Sequence, residues 1–409
     1  YSESFAQRSN ARGYDRIIVA EPAAYKAIMA ACPETISYDK AVTYLATFAA
    51  QFEGVENADV IIDNVSNDSA AAVNALLRAG KNVAMITEGD EKGNFICSYE
   101  DFLTIAKDYV ITATGVYGAN YKAAVILNPL VFLPGKPANN TSGYVETTLR
   151  SGSYNYRFDW LALTAMGFTM TEDLSKANVI VGSQKLSDEA LGAVKAGTPY
   201  MAYGATAFMG EGNFLLGLGV KLDSCTMGTD FLGRVVYPSN TLVNASYINE
   251  ADDVMYEYGT NWFTKIPEGA TVLVQNAGKA PLQGCICLTD DELTEEFNQY
   301  NNGVVGFEYQ SGKLDMALFA NVLNHKIHQT DEYTFISNFI FSRSLTETAY
   351  EGVAQPENPD PVNPGKPEEP GKPDAPKTGD TSSIIVWVLA ASFTVVMIPM
   401  TVTLKRKAR

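Results

Sequence analysis

Histidine is nearly missing from this chain: its 409 residues hold two, His325 and His328. Sites that need three imidazoles cannot be assembled from it. Basic charge is also short, with Lys+Arg 30 against Asp+Glu 47, a formal net charge of -17 and a sequence pI near 4.6. Such a surface repels nucleic acid and anionic lipid, which argues against both as partners. Cysteine is scarce and odd in number. Cys32, Cys97, Cys225, Cys285 and Cys287 are too few and too irregular for a disulfide framework, so at least one is free or paired outside the chain. No phosphate loop is present: the glycines from Gly210 to Gly217 miss the dinucleotide spacing, and Glu211 sits where a phosphate would. The opening Tyr1-Ser2-Glu3-Ser4-Phe5 has neither the basic start nor the apolar core of a signal peptide, so a further N-terminal portion is expected upstream.

What the chain does have is a strongly ordered C-terminal end. Prolines stand at 356, 359, 361, 364, 367, 370, 373 and 376, nearly every third residue. Polyproline II has three residues per turn, so they line one edge of a stiff hydrated rod. At about 3.1 Å per residue the stretch to Thr378 reaches roughly 70 Å. An uncharged apolar run of 21 residues follows, Ile384 to Leu404, long enough to cross a bilayer as a helix despite Pro399. The basic tail Lys405-Arg406-Lys407-Ala408-Arg409 should stay in the cytoplasm, which puts everything before Ile384 outside the cell.

Between rod and apolar run lies Ala375-Pro376-Lys377-Thr378-Gly379-Asp380. The succession resembles the cell-wall sorting signal of Gram-positive surface proteins, in which Leu-Pro-x-Thr-Gly precedes a hydrophobic stretch and a basic tail. Pro376, Lys377, Thr378 and Gly379 fit that pattern, and Ala375 departs from its Leu. The resemblance implies that a sortase cysteine attacks the Thr378 carbonyl, releases the chain from Gly379 onward and passes the acyl group to a peptidoglycan amine. Sortase and peptidoglycan are then the implied partners. The implied location is the cell surface, with one membrane pass before sorting.

About 350 residues remain for folded structure, enough for two α/β domains or one large one. Two segments repeat loosely. Ala58 to Ile62 leads through an Ala-rich stretch to Gly80 and Val83 to Ile86, and Ala177 to Val181 leads through Ser187-Asp188 to Gly197 and Tyr200 to Tyr203. Each reads as strand, helix and strand, with helix starts at Asn67-Asp68 and Ser187-Asp188 and glycine stops, a pattern that implies a parallel crossover. Further strands are expected at Arg16 to Ala20, Tyr109 to Ala113 and Ala124 to Leu127. The expected fold class is α/β: two similar doubly wound, Rossmann- or flavodoxin-like halves over 1–140 and 150–345. After Leu218 an antiparallel extension is expected, with strands at Val235 to Tyr237, Leu242 to Tyr247, Thr271 to Val274, Cys285 to Leu288 and Met316 to Phe319, closed by a helix from Glu332 to Leu345. The spacer and sorting motif occupy 346–383, the membrane helix 384–404 and the tail 405–409. Trp160 and Trp262 are assigned to the core.

Candidate sites are few. His325, His328 and Asp331 recur at a spacing of three, which on a helix places them on one face as weak candidate metal ligands. The alternative is a solvated connection before a helix. A cysteine hydrolase of the glutaminase amidotransferase type would share this architecture and carry Cys on a tight strand-to-helix elbow. Here Tyr203-Gly204-Ala205-Thr206-Ala207 resembles such an elbow but holds no Cys, and Thr206 has no evident base. Cys97, Cys285 and Cys287 read as packed thiols. The carboxylate pairs Asp252-Asp253, Asp290-Asp291 and Glu295-Glu296 read as turn or helix-start residues. No catalytic or cofactor-binding residue is assigned.

Several stretches together resemble the region that follows the peptidase domain in large secreted zinc carboxypeptidases of gut Firmicutes. They are Tyr1 to Tyr14, the pair of α/β units, Ile266 to Val274, and Ala317 through His325 and His328 to Phe341. Such peptidases bind zinc through His-x-x-Glu and a distant His. This chain has no His-x-x-Glu, and His328-x-x-Asp331 is the nearest approach. The resemblance implies a non-catalytic accessory and anchoring portion, with no cofactor of its own and zinc held by a peptidase portion upstream. The alternatives are an adhesin or solute-binding module that uses the cleft between the halves, and then a hydrolase.

Overall fold

The computed structural model describes residues 50–117, 121–135, 154–208, 212–224, 230–247, 253–258, 261–278, 283–284, 298, 300–325 and 330–353. The expected strands Arg16 to Ala20 and Cys285 to Leu288, the Pro-rich spacer, the sorting motif and the apolar run 384–404 lie outside them. Among the described residues no helix is long and apolar enough to cross a membrane.

In chain order the first elements are β1 Gln51–Gly54, β2 Asp59–Ile62, α1 Asn67–Arg78, β3 Val83–Ile86, β4 Phe95–Ser98, α2 Tyr99–Ile105, β5 Thr112–Val116 and β6 Ala123–Ile126. Next come β7 Leu130–Phe132, α3 Tyr154–Ala165, β8 Thr169–Thr171, β9 Val179–Gly182, α4 Asp188–Ala196, β10 Tyr200–Tyr203, α5 Ala205–Phe208 and α6 Gly212–Gly217. The remainder are β11 Lys221–Ser224, β12 Asp230–Val236, β13 Val254–Tyr258, β14 Asn261–Lys265, β15 Thr271–Asn276, β16 Gln283–Gly284, β17 Val304–Ser311, β18 Leu314–Phe319, α7 Tyr333–Ser342 and β19 Leu345–Ala349.

Local chemistry accounts for the two repeated units. Ser66 caps α1 by accepting from the Ser69 N–H, and Ser187 caps α4 by accepting from Ala190 N–H. Gly80 (φ 71°) and Gly197 (φ 119°) end those helices in the left-handed region that glycine alone enters without cost. Both units form as strand, helix and strand, but the sheets around them differ.

The second sheet contains the doubly wound pattern. Strands β8, β7, β9, β10 and β18 lie side by side and run parallel. In chain sequence that order is second, first, third, fourth, fifth, so the direction of winding reverses between β7 and β9. All four residues of β9 and of β10 are buried, as a strand covered on both faces requires. From β18 onward the sheet continues antiparallel through β17, β15, β12 and β13, the expected extension.

The first sheet departs from the expectation of a second, similar doubly wound half. Its order is β1-β5-β2-β4-β3-β6-β19, and only the β1–β5 pair is parallel. Strands β2 and β3 do run the same way across α1, but β4 is inserted between them. The connection from Ile86 to Phe95 is too short for a parallel crossover, so β4 must return antiparallel beside β3. β7 joins the second sheet, and β19 returns to the edge of the first.

Leu242 to Tyr247, expected as a strand, is a run of turns. Asn244 explains it. Its Oδ1 accepts from Thr241 N–H at 2.8 Å, and its Nδ2 donates to the carbonyls of Ser239 (2.8 Å) and Leu273 (3.1 Å). These side-chain bonds take the place of a strand ladder.

Helix α7 joins the two sheets. Every residue from Tyr333 to Phe341 is buried. Phe341 meets Phe95 of β4 and Phe168, before β8, each with ring centroids 5.1 Å apart, and Phe335 meets Phe319 of β18 at 5.0 Å. One hydrophobic core therefore runs through both sheets. At the helix end Arg343 Nη2 pairs with Glu308 Oε1 and Asp315 Oδ1, both at 2.8 Å, and ties α7 to the β17–β18 hairpin. Replacing Phe341 by Ala is expected to cost about 3–5 kcal/mol, the usual loss for a buried phenylalanine. Urea unfolding should shift as a single transition; two separated transitions would refute a shared core.

Candidate functional site

The carboxyl ends of β9, β10 and β18 converge on one buried carboxylate, Asp159 of α3, which is 0% exposed. Its Oδ2 accepts from Ser183 N–H at 2.9 Å and Ser183 Oγ at 2.7 Å. Its Oδ1 accepts from Tyr203 Oη at 2.9 Å and Asn324 Nδ2 at 2.8 Å. Burial raises the Asp159 pKa, and those same four hydrogen bonds act in the opposite direction by favouring the charged form. Gly182 leaves room for this arrangement, since a Cβ there would lie 3.3 Å from Asp159 Oδ2 and 3.1 Å from Leu133 Cδ1.

The cluster sits at the place where ligands of open α/β sheets bind, beyond the strand carboxyl ends near the reversal between β7 and β9. At that place Ser183, Tyr203 and Asn324 all donate to Asp159. Asp159 is a satisfied acceptor that fastens three strand ends to α3. Nearby, the Tyr333 hydroxyl and Asn324 Oδ1 are buried with no hydrogen-bond partner among the described residues. The Tyr333 hydroxyl lies within the electrostatic reach of Asp159, and burial followed by Glu332 and Asp159 pushes its pKa upward.

Two more buried acids line the antiparallel side. Glu257 of β13 accepts at Oε1 from the Tyr300 hydroxyl and at Oε2 from Asn321 Nδ2 (3.0 Å), while Asn321 Oδ1 accepts from Asn261 N–H at 2.9 Å. Glu332, just before α7, accepts at Oε1 from Tyr256 N–H at 2.8 Å. Burial pushes each carboxyl up to about 8.

Of the three weak metal candidates, His325 and Asp331 are described. His325 is buried, with its ring 6.1 Å from Tyr256 and 6.2 Å from Phe158, whereas Asp331 is exposed and its carbonyl accepts from the Tyr247 hydroxyl. His328 lies outside the described residues, and among those described no group of three His, Cys, Asp or Glu side chains could hold a metal ion. The turn after β10 has the elbow form: Gly204 has φ +84°, and a Cβ there would come within 2.5 Å of Val322 Cγ2. Ala205 follows it, and the Thr206 side chain is outside the described residues. Cys97 is the packed thiol expected, with burial the main cause pushing it up to about 12. Pro376, Lys377, Thr378 and Gly379 fall outside the described residues.

The sequence reading missed Asp159, Glu257, Asn321 and Asn324. A faint signal existed, namely a lone acid beside Trp160 in a helical stretch and two Asn three apart directly after the apolar run ending at Ala320.

No protein-family model and no curated protein sequence matches this chain. Its solved structural neighbours include a glutamine amidotransferase from Thermotoga maritima, 9% identical, with 52% of this chain and 98% of that one covered at a TM-score of 0.29. PurLQS from the same organism is 14% identical over 52% of this chain and 98% of that one, at 0.30. A beta-galactosidase from Bacillus circulans sp. alkalophilus is 13% identical over 55% of this chain and 32% of that one, at 0.32.

The acids set the response to pH. Because the folded-state pKa values of Glu257 and Glu332 lie above the unfolded value near 4.5, the folded protein binds more protons between about pH 4.5 and 8. Their contribution is complete below pH 4.5 and declines as pH rises through 8, by roughly 1.4 kcal/mol per pH unit for each group. The midpoint in urea should fall across that window, and Glu257→Gln should flatten the fall; an unchanged slope would refute the assignment. Asp159→Ala should destabilise by about 3 kcal/mol or more, since it strands four buried donors. A loss below 1 kcal/mol by urea titration would show that Asp159 does not hold the strand ends.

Proposed function

We propose that this chain is the non-catalytic accessory and anchoring portion of a Gram-positive surface protein, sorted to the cell wall at Thr378. The observation that carries the reading is the succession of Pro-rich spacer, Pro376-Lys377-Thr378-Gly379, uncharged apolar run and basic tail. A lone tetrapeptide would arise by chance, but four elements in working order are what a sortase substrate requires. The spacer holds the body clear of the membrane, and the apolar run keeps Thr378 at the membrane surface until cleavage.

The folded body supports the non-catalytic part. In an enzyme of amidotransferase-like architecture, the end of β10 would present a nucleophile and the reversal between β7 and β9 would remain open to substrate. In this chain Gly204 and Ala205 stand at that turn, and at the strand ends Asp159 accepts from Ser183, Tyr203 and Asn324. The zinc chemistry implied by the carboxypeptidase resemblance is assigned to an upstream peptidase portion, and this chain positions it at the surface.

The full chain, expressed behind a signal peptide in a Gram-positive host that carries sortase, should appear in the fraction released by wall-digesting enzymes. Thr378→Ala should move it to the membrane fraction, and deletion of 375–409 should move it to the medium. Equal wall association of wild type and Thr378→Ala would overturn the proposal.

A further inference from the structure

Asp59 is the first residue of β2, and it is 0% exposed although it opens a strand otherwise made of Val60, Ile61 and Ile62. Its partners come from the far end of the folded body. Oδ1 accepts from Tyr350 Oη at 2.9 Å, and Oδ2 accepts from Val353 N–H at 2.6 Å. These contacts join residues 291 and 294 positions apart.

Strand geometry explains the meeting. Side chains two apart share a face, so Asp59 points the same way as Ile61, away from the main core that takes Val60 and Ile62. On that second face Ile61, Ala84, Ile86, Ile96 and Ala123 form a small apolar patch, and Tyr350 packs on it. The chain leaving β19 therefore lies across the sheet as a strap. Tyr350 N–H donates to Ala123 O of β6 at 2.9 Å, and three residues later Val353 N–H reaches the Asp59 side chain on β2. In the sheet order β3 and β4 lie between those two strands.

Without the strap, the exit from the body would be weak. β19 is an edge strand, and its pairing with β6 is irregular between Leu345 and Ala349. Pulled from its C-terminal end, such a strand separates one bond at a time. β2 is held on both sides, antiparallel to β4 and to β5 along its whole length. A contact on β2 thus passes load from the edge into the interior of the sheet.

We propose that the Asp59–Tyr350–Val353 junction is a load-bearing latch, which stops tension arriving through the C-terminal spacer from peeling β19 and then α7 out of the body. The inference rests on the anchoring reading, because only a tethered C-terminus carries such load. The order of residues agrees with this role: the latch closes at Val353, and the first proline of the spacer is Pro356. The two contacts are complementary. The Tyr350 ring resists lifting by its apolar contact, and the two oxygens of Asp59 resist sliding.

The test applies force without sortase or wall, so that it fails or succeeds independently of the wall-fractionation experiment on Thr378. Handles are placed on the purified, detergent-solubilised full chain, one as a peptide tag inserted at the exposed Asp90 turn and one at Arg409, and the molecule is stretched in an optical trap. The wild-type body is expected to give way in one main event. In Asp59→Ala and in Tyr350→Phe an earlier event should precede it and release the nine residues 345–353, a gain of about 3 nm at ~3.4 Å per residue. At a given force that first event should be roughly 10- to 100-fold faster in Tyr350→Phe than in wild type, the factor for leaving one buried acceptor unsatisfied, and faster still in Asp59→Ala, which loses two hydrogen bonds. Tyr350→Phe keeps the ring and its packing, so it carries the test if Asp59→Ala does not fold. Rupture of Tyr350→Phe and any folded Asp59→Ala at the wild-type rate and length would overturn the latch.

Discussion

Helix α7 must be buried on every side, and the rest of the body is arranged around that requirement. Nine consecutive residues, Tyr333 to Phe341, have no solvent-facing stripe. Its apolar and aromatic residues Tyr333, Phe335, Ile336, Phe339, Ile340 and Phe341 leave no wholly polar face, so such a helix is stable only inside a core. The two sheets supply that core, with Phe95 on one side and Phe319 with Phe168 on the other. The helix arrives late in the chain. Its packing therefore links the last described residues to the first sheet, and β19 then completes that sheet at its edge.

Burying so much of the chain's end also carries polar groups inside. Asp59, Asp159, Glu257 and Glu332 are each nearly or wholly removed from solvent. Asp59, Asp159 and Glu257 are held at both oxygens by donors from distant segments, as the high cost of an unpaired buried polar group requires, and Glu332 is held at Oε1. Asp159 gathers strand ends of the second sheet, Glu257 joins the antiparallel extension to the loop after β18, and Asp59 receives the exiting chain. Together they fasten segments far apart in sequence, and the raised acids Glu257 and Glu332 make that fastening weaken as pH rises from about 4.5 to 8.

Much of the architecture was legible in the residues. The helix starts near Asn67 and at Ser187, the stops near Gly80 and at Gly197, the short buried strands and the late helix all arise from interactions within a few positions, which a sequence displays directly. The first sheet was misread because nothing in Val83 to Ile86 or Phe95 to Ser98 says which strand lies between which. That depends on the short connection at Gly89 to Gly93, which forces an antiparallel return. Leu242 to Tyr247 has the composition of a strand, but Asn244 finds two carbonyls that only the folded turn presents.

The order of segments along the chain is written in the sequence alone: a region of globular composition, a Pro-rich stretch, a candidate sorting motif, an apolar run and a basic tail. Those depend on composition and spacing, and neither changes on folding. The tertiary structure decided which polar residues matter within the body. His325 and Asp331, near neighbours in sequence, differ in burial, while Asp159 and Asn324, 165 positions apart, share a hydrogen bond. The physical reason is that a hydrogen bond inside a core depends on the meeting of strand ends in space, and sequence separation does not encode that meeting.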